Sequence, residues 1–228
     1  MNLIYTPYDL ISTVHHYGII PFFSELMPVF CLDDYIPGSV WNENNGLGPW
    51  MWRDEIAREK TCIYGKFLKG KTAYVAKEWF PVLANYRRDG YDCDARYDDG
   101  LMRHEDKILF DLIEKNGPVT AVELKKLMNI GKGKTYGFES SLTRLQMLTY
   151  IVPCDFTFPR NADGSKKYSY GITWYDTPEH WFSEDFIKDA YRENPKDSFE
   201  RLCNMLSGVL EDVPAEEIEK ISKRIASI

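Results

Sequence analysis

The sequence of 228 residues lacks the short motifs that mark several common enzyme sites. It has no phosphate-binding P-loop, no G-x-G-x-x-G dinucleotide motif, no H-E-x-x-H zinc motif and no G-x-S-x-G nucleophile motif. Glutamine occurs once, as Gln146. These absences argue against a nucleotide hydrolase, a dinucleotide-dependent oxidoreductase, a zinc protease and a serine hydrolase of the usual types.

Cysteines are few, and they are spaced far apart. The five cysteines form no C-x-x-C motif, and their odd number does not fit a paired disulfide framework. We therefore expect reduced thiols in a cytoplasmic protein, with no metal site and no cofactor. The N-terminus has no basic segment, and the longest apolar run, residues 17–23, contains a proline. This predicts neither a signal peptide nor a membrane span.

Basic residues are outnumbered, 28 against 35 acidic ones, for a net charge of −7. This balance argues against a protein that binds DNA with its whole surface. Two segments are locally basic, however. Residues 117–170 carry eight basic and four acidic side chains, and residues 53–88 carry nine basic and four acidic ones. Any nucleic-acid site must therefore be a local basic patch on an otherwise acidic surface.

The more C-terminal basic segment lies in a pattern of three helices followed by a hairpin. Hydrophobic spacing predicts helices over residues 102–116 and 138–148, and a helix between them that starts at Thr120. Glu123 stands three residues after Thr120, as in a capping box. Residues 150–158 and 168–175 are predicted strands around a polar turn. Three helices and a hairpin are typical of a winged helix-turn-helix.

In that fold the third helix lies in a DNA groove and the hairpin tip touches phosphates. The predicted contacts of this module are Lys132, Lys134, Arg144, Arg160, Lys166 and Lys167. Two other interpretations stay open. The lysines could belong to an ordinary solvated turn and hairpin tip, or the module could bind another protein.

The N-terminal part suggests a second, divergent module. Residues 5–17 are a predicted helix, residues 33–48 a loop, residues 62–67 and 72–76 a hairpin with a basic tip, and residues 79–87 another helix. The predicted nucleic-acid contacts here are Lys66, Lys69, Lys71, Arg87 and Arg88.

The predicted fold class is therefore α+β and mainly helical, with tandem winged helix-turn-helix-like modules and short hairpin wings. The modules would span residues 1–88 and 101–176, joined by an acidic linker over residues 89–100. Residues 171–228 carry seven basic and thirteen acidic residues. Within this stretch, residues 177–228 would form an acidic helical scaffold that could bind a protein partner.

Tryptophan is concentrated near one arginine. Trp50, Trp52 and Arg53, with Trp79, could line a pocket for a flipped base. The alternative is a core anchor, with Arg53 paired to an acid. Asp54 and Glu55 follow directly and are the weak candidates for catalytic carboxylates.

Two stretches resemble the AlkZ/YcaQ-type winged-helix DNA glycosylases. Residues 9–23, DLISTVHHYGIIPFF, are similar to the opening of that family, in which a helix ends in glycine. Residues 62–88, CIYGKFLKGKTAYVAKEWFPVLANYRR, are similar to its aromatic-rich hairpin and short helix, with Phe80-Pro81 in place of a Tyr-Pro pair. The overall pattern is most similar to the small proteins described as AlkZ-related.

The resemblance implies tandem winged helices that bind DNA, and a role in DNA repair through excision of alkylated or cross-linked bases. The family also has a Q-x-Q or Q-x-D motif, whose positions fall here on Pro21 and Phe23. The sequence therefore predicts DNA binding without catalysis of the family type. A glycosylase that uses Asp54 or Glu55 is the second hypothesis, and a protein-interaction module is the third.

Overall fold

The computed structural model of the chain describes residues 2–23, 30–43, 48–130, 137–164, 171–188, 190–211 and 213–226. Over these residues the fold is α+β and mainly helical, with two small antiparallel sheets of three strands each. None of the helices described in these ranges combines the length and apolarity that crossing a membrane requires. Lys132, Lys134, Lys166 and Lys167 lie outside the described residues.

The helices and strands follow the chain in this order. The helices are α1 (Pro7–Tyr17), α2 (Gly38–Trp41), α3 (Arg53–Glu59), α4 (Phe80–Arg88), α5 (Cys93–Asp98), α6 (His104–Asn116), α7 (Ala121–Leu127), α8 (Phe138–Met147), α9 (Pro178–Trp181), α10 (Glu184–Lys188), α11 (Pro195–Val209) and α12 (Ala215–Ala226). The strands are β1 (Ile19–Pro21), β2 (Cys62–Leu68), β3 (Lys71–Ala76), β4 (Val119–Thr120), β5 (Val152–Thr157) and β6 (Ile172–Asp176). Short 3-10 helices cover Asp33–Tyr35, Gly48–Trp52, Lys77–Trp79 and Ala190–Arg192.

Capping boxes fix the starts of two helices. Thr6 accepts a hydrogen bond from the Asp9 amide at 3.2 Å, and the Asp9 carboxylate accepts one from the Thr6 amide at 2.9 Å. Thr120 and Glu123 repeat this exchange at 3.1 and 3.0 Å, which confirms the predicted start of α7. Each exchange satisfies amides that have no partner inside the helix. Gly18, with φ of 72°, ends α1 where the sequence predicts.

Each sheet has the returning strand of a hairpin at its centre. In the first sheet the order is β1-β3-β2, and β3 pairs with both neighbours. In the second the order is β4-β6-β5, so the last strand lies between the short strand before α7 and the strand after α8. The segment from α6 to β6 therefore runs helix, strand, helix, helix, hairpin.

The predicted acidic linker, residues 89–100, contains the short helix α5. Asp92 accepts a hydrogen bond from the Ala95 amide at 2.8 Å and so caps α5. Cys93 is buried in the core formed by α6, α7 and α8. The helix forms because one of its side chains is apolar enough to bury while the aspartates face water.

The first hydrophobic core joins both ends of the chain. It combines residues of α1, the first sheet and α4 with residues of α11 and α12, among them Leu10, Tyr74, Leu83, Leu206 and Ile225. Leu202 and Leu206 of α11 and Ile221 and Ile225 of α12 are buried in this core. The acidic C-terminal segment packs onto the N-terminal part and does not stand as a separate layer.

The second core lies within residues 93–151. Leu109 and Ile113 of α6, Leu124 of α7, and Leu142 and Leu145 of α8 are all fully or almost fully buried there. Helical spacing predicts these positions to face inward, but it also predicts inward faces for Ile108, Val122 and Leu127, which are exposed. Strand β5 links the two cores, because Val152 and Phe156 belong to the first core.

Candidate nucleic-acid interface

Helix α8 is held to α6 by Arg144. Its guanidinium donates to both carboxylate oxygens of Asp106, which is itself buried, and also to the Ser141 hydroxyl at 2.9 Å. The hydrogen bonds to Asp106 raise the pKa of Arg144. The predicted role of Arg144 as a phosphate contact is thus combined with a structural one that positions α8.

The surface that α8 offers to a ligand is its first turn. Gly137, Glu139 and Ser140 are exposed, whereas the second half of the helix is largely buried. Lys125 of α7 binds Glu139 at 2.8 Å and lies over the Phe138 ring. Among the described residues of this helix, the most exposed therefore lie at its N-terminal end.

The tip of the first hairpin covers the rest of α8. The Lys66 amide donates to Gln146 Oε1 at 3.0 Å, and Lys66 Nζ donates to Thr143 Oγ1 at 3.3 Å. A Cβ atom added to Gly70 would lie 3.2 Å from Thr143 Cγ2, so the backbone passes close to the helix. The two basic segments that the sequence places in separate modules thus meet here, with Lys69 and Lys71 exposed at the tip.

A cavity of about 500 Å³ opens at the N-terminal ends of α6 and α8. Its lining includes Arg103, Arg144, Ser140 and the carboxylates Glu105 and Glu139. Two helix N-termini and two guanidiniums provide the donors and the partial positive charge that anions favour. The two carboxylates limit this charge, so the cavity suits a contact to one phosphate within a larger interface.

The described part of the second hairpin contains one predicted contact. Arg160 is exposed and donates to the Gly164 carbonyl at 2.9 Å, next to the turn between β5 and β6. The position of Arg160 in an exposed turn is compatible with the predicted phosphate contact, which stays a prediction.

Two predicted phosphate contacts are wrong. Arg87 and Arg88 are only 1% and 2% exposed. Arg87 donates to the carbonyls of Met147 and Ile225, at 2.7 and 2.9 Å. Arg88 donates to the Thr149 carbonyl at 2.6 Å and forms an ion pair with Glu179. These guanidiniums fasten α4 to the end of α8 and to the C-terminal helices.

Comparison with protein families gives one result that covers almost the whole chain. A family model described as "AlkZ related" matches residues 4–223. The chain belongs to the AlkZ-related family. No curated protein and no solved structure matches it.

In this AlkZ-related chain, Pro21 and Phe23, which the resemblance predicts at the Q-x-Q positions, lie beside an aromatic cluster. Pro21 is buried in β1, and its carbonyl accepts from the Leu32 amide at 3.0 Å. The Phe23 ring lies 4.8 Å from that of Phe22 and 5.6 Å from that of Trp50. Phe22 and Trp50 stack with an angle of 4° between their planes.

The predicted pocket residues are brought together only in part. Arg53 is buried beside Trp50: its Nε donates to the Trp50 carbonyl at 2.8 Å, and its Cζ lies 4.7 Å from the Trp50 ring centre. Trp52 is buried in the first core. Trp79 lies elsewhere, next to Gly18 and Met205.

Arg53 is surrounded by aromatic rings. Its Cζ is also 4.7 Å from the Phe156 ring centre and 5.7 Å from that of Tyr64. Sequence reasoning missed both partners, because they come from β5 and β2, and no local signal relates those strands to α3. This arrangement favours the core-anchor interpretation, with aromatic rings around the guanidinium.

The two candidate carboxylates stand in the first turn of α3. Asp54 lies 3.5 Å from Arg58, which also contacts Asp155 at 3.1 Å. Glu55 is exposed. Acids in a first turn interact favourably with the helix dipole, and the pairing with Arg58 gives Asp54 a structural use.

Proposed function

We propose that the chain binds duplex DNA with a winged helix-turn-helix formed by residues 104–176, and that it acts in the cytoplasm. The observation that carries the proposal is the order of α6, β4, α7, α8, β5 and β6, with β6 between β4 and β5. Membership of the AlkZ-related family supports a DNA-related function. In proteins with this arrangement the helix corresponding to α8 enters the major groove.

The pattern of burial supports a particular mode of insertion. Helix-turn-helix proteins contact base edges with the N-terminal residues of the recognition helix. The first turn is the most exposed described part of α8, because Lys66 and Gly70 of the β2–β3 hairpin lie against its second half. The first turn would enter the groove, and the hairpin tip with Lys69 and Lys71 would lie along a flanking phosphate backbone.

The distribution of charge supports DNA binding by a local interface and not by the whole surface. In the sequence, Lys132 and Lys134 precede Gly137, and Lys166 and Lys167 fall between β5 and β6. The start of the recognition helix and the hairpin tip are the parts that contact phosphates in such complexes. The net charge of −7 would repel DNA from the remaining surface.

We propose further that base excision by the family's catalytic pair does not take place here. Proline and phenylalanine side chains offer no hydrogen bond to a water molecule and no charge to a sugar cation. The aromatic contacts of Phe23 and the burial of Pro21 support a packing role for both positions.

One substitution tests the proposed mode of binding. Ser140→Glu places a negative charge at the open turn of α8, and we expect it to weaken duplex binding at least about tenfold, which corresponds to about 1.4 kcal/mol. Ser207→Glu adds the same charge to an exposed position on α11 and is the matched control. Fluorescence anisotropy with a labelled duplex measures both. Equal affinity of the two variants would refute insertion by this turn.

A further inference from the structure

A well-formed cavity outside the α8 surface lies between the end of α4, α5 and the start of α11. Its volume is about 640 Å³, within the range of small-molecule sites. None of the residues that line it belongs to the proposed DNA-binding surface. A ligand of this cavity would therefore differ from the duplex DNA bound at the α8 surface.

Arg87 lines this cavity, and its charge is incompletely compensated. The carbonyls that accept from its two terminal nitrogens are neutral, its buried Nε has no hydrogen-bond partner, and none of the described residues forms an ion pair with it. Burial lowers the pKa of Arg87 to about 10. A buried cation without a counter-ion is costly, and an anion in the neighbouring cavity would reduce that cost.

Two further cations line the same cavity. Arg96 of α5 donates to the carbonyls of Arg87 and Arg88, which fixes it at the cavity wall. Lys196 stands in the first turn of the 15-residue helix α11, is exposed, and has no ion-pair partner among the described residues. The positive end of the helix dipole adds to the charge of Lys196.

The rest of the lining provides two other kinds of contact. Tyr86 and Phe199 form an aromatic wall, with ring centres 4.9 Å apart and an angle of 28° between their planes. Asp89 and Glu200 supply two carboxylates. Aromatic faces stack on nucleobases, and carboxylates accept hydrogen bonds from exocyclic amino groups.

We propose that this cavity binds a nucleoside monophosphate whose base carries an exocyclic amino group. The phosphate lies near Lys196, Arg96 and Arg87, and the base stacks on the wall of Tyr86 and Phe199. The same chemistry is offered by a free nucleotide and by the 5′-phosphorylated end of a DNA strand. The proposal does not depend on DNA binding through α8.

Isothermal titration calorimetry of the full chain tests the proposal. We expect saturable one-to-one binding of dAMP, and binding at least about tenfold weaker for three other ligands. Of these, dTMP lacks the exocyclic amino group, deoxyadenosine lacks the phosphate, and inorganic phosphate lacks the base. A second arm compares a short single strand with and without its 5′-phosphate. Binding of dAMP identifies a free nucleotide as ligand, and binding of the phosphorylated strand alone identifies a strand end.

Two variants connect the binding to this cavity. Phe199→Ala and Lys196→Glu should each weaken it at least about tenfold, whereas Lys188→Ala, at an exposed lysine on α10, should leave it unchanged. Lys196 is exposed, so its variant decides the outcome even if Phe199→Ala lowers stability. The proposal is overturned if neither dAMP nor the phosphorylated strand binds saturably, or if binding survives both variants. Ser140→Glu tests DNA binding separately and should not affect dAMP.

Discussion

Arg144 and Asp106 connect the outer helices of the α6–α8 unit by two short contacts, Nε to Oδ2 at 2.7 Å and Nη2 to Oδ1 at 2.6 Å. The Asp106 side chain is 4% exposed and that of Arg144 is 30% exposed. This bidentate geometry combines an electrostatic attraction with a fixed relative orientation of the two side chains. It sets the angle at which the first turn of α8 reaches the surface.

Asp106→Asn should therefore destabilise the protein. Removing the charge leaves Arg144 with an incomplete partner, and we expect a loss of about 3 kcal/mol in the free energy of unfolding, the low end for a broken buried pair because Arg144 is partly exposed. Chemical denaturation measures the loss. Asp111→Asn removes the half-exposed partner of Lys107 and should cost less than about 1 kcal/mol. Similar losses in the two variants would contradict the assigned role.

Leu145 tests the packing of α8 against α6. It is fully buried, and Leu145→Ala should lower the free energy of unfolding by about 2–5 kcal/mol through lost burial and the cavity left behind. Leu127→Ala is the matched control, because Leu127 is 47% exposed on α7, and its effect should stay within about 0.5 kcal/mol. An unchanged denaturation midpoint for Leu145→Ala would show that the helix face is misassigned.

Local signals in the sequence predicted local structure well. The capping box of Thr120 and Glu123, the glycine that ends α1 and the hairpin of β2 and β3 depend on residues close together in the chain. The start of α6 falls two residues later than predicted, because Arg103 occupies the cap. The α+β, mainly helical class was also predicted correctly.

Packing between segments that are distant in the chain could not be predicted from the sequence in the same way. Arg87 and Arg88 look like surface charges in a basic segment, but carbonyls from α8 and α12 and the carboxylate of Glu179 make their burial possible. The contact between Lys66 and Gln146 joins residues 80 positions apart. Spacing in a sequence reports which face of an element is apolar, not which distant element will cover it.

The cysteines should differ sharply in reactivity. Burial raises the pKa of Cys62 and Cys93 to about 12 and that of Cys31 to about 11, and it also raises the pKa of Cys154. A raised pKa means less of the reactive thiolate at neutral pH, and burial also blocks access. Cys203 alone among the five is partly exposed. We expect iodoacetamide to modify Cys203 first in the native protein, as judged by peptide mass mapping. Rapid modification of Cys62 or Cys93 would contradict the described burial.

The hairpin tip should contribute to DNA affinity through charge. In the double variant Lys69→Ala, Lys71→Ala, duplex binding should weaken, and the salt dependence should become shallower by about one unit for each phosphate contact removed. A salt series of anisotropy titrations measures both effects. The double variant Lys220→Ala, Lys223→Ala removes two exposed lysines of α12 and should leave the slope unchanged. If the salt dependence of binding were unaltered in the hairpin variant, the tip would not be part of the DNA interface.

The purified protein should release no alkylated bases from duplex DNA. Glycosylase chemistry needs polar groups that position a water molecule and stabilise a cationic sugar, and Pro21 and Phe23 provide neither. Of the two candidate carboxylates, Asp54 contacts Arg58 at 3.5 Å and Glu55 is exposed. A base-release assay on methylated duplex DNA checks this expectation, with binding of the same duplex as the control for a competent protein. Release that disappears in Asp54→Asn or Glu55→Gln, while duplex binding persists, would assign catalysis to a relocated carboxylate.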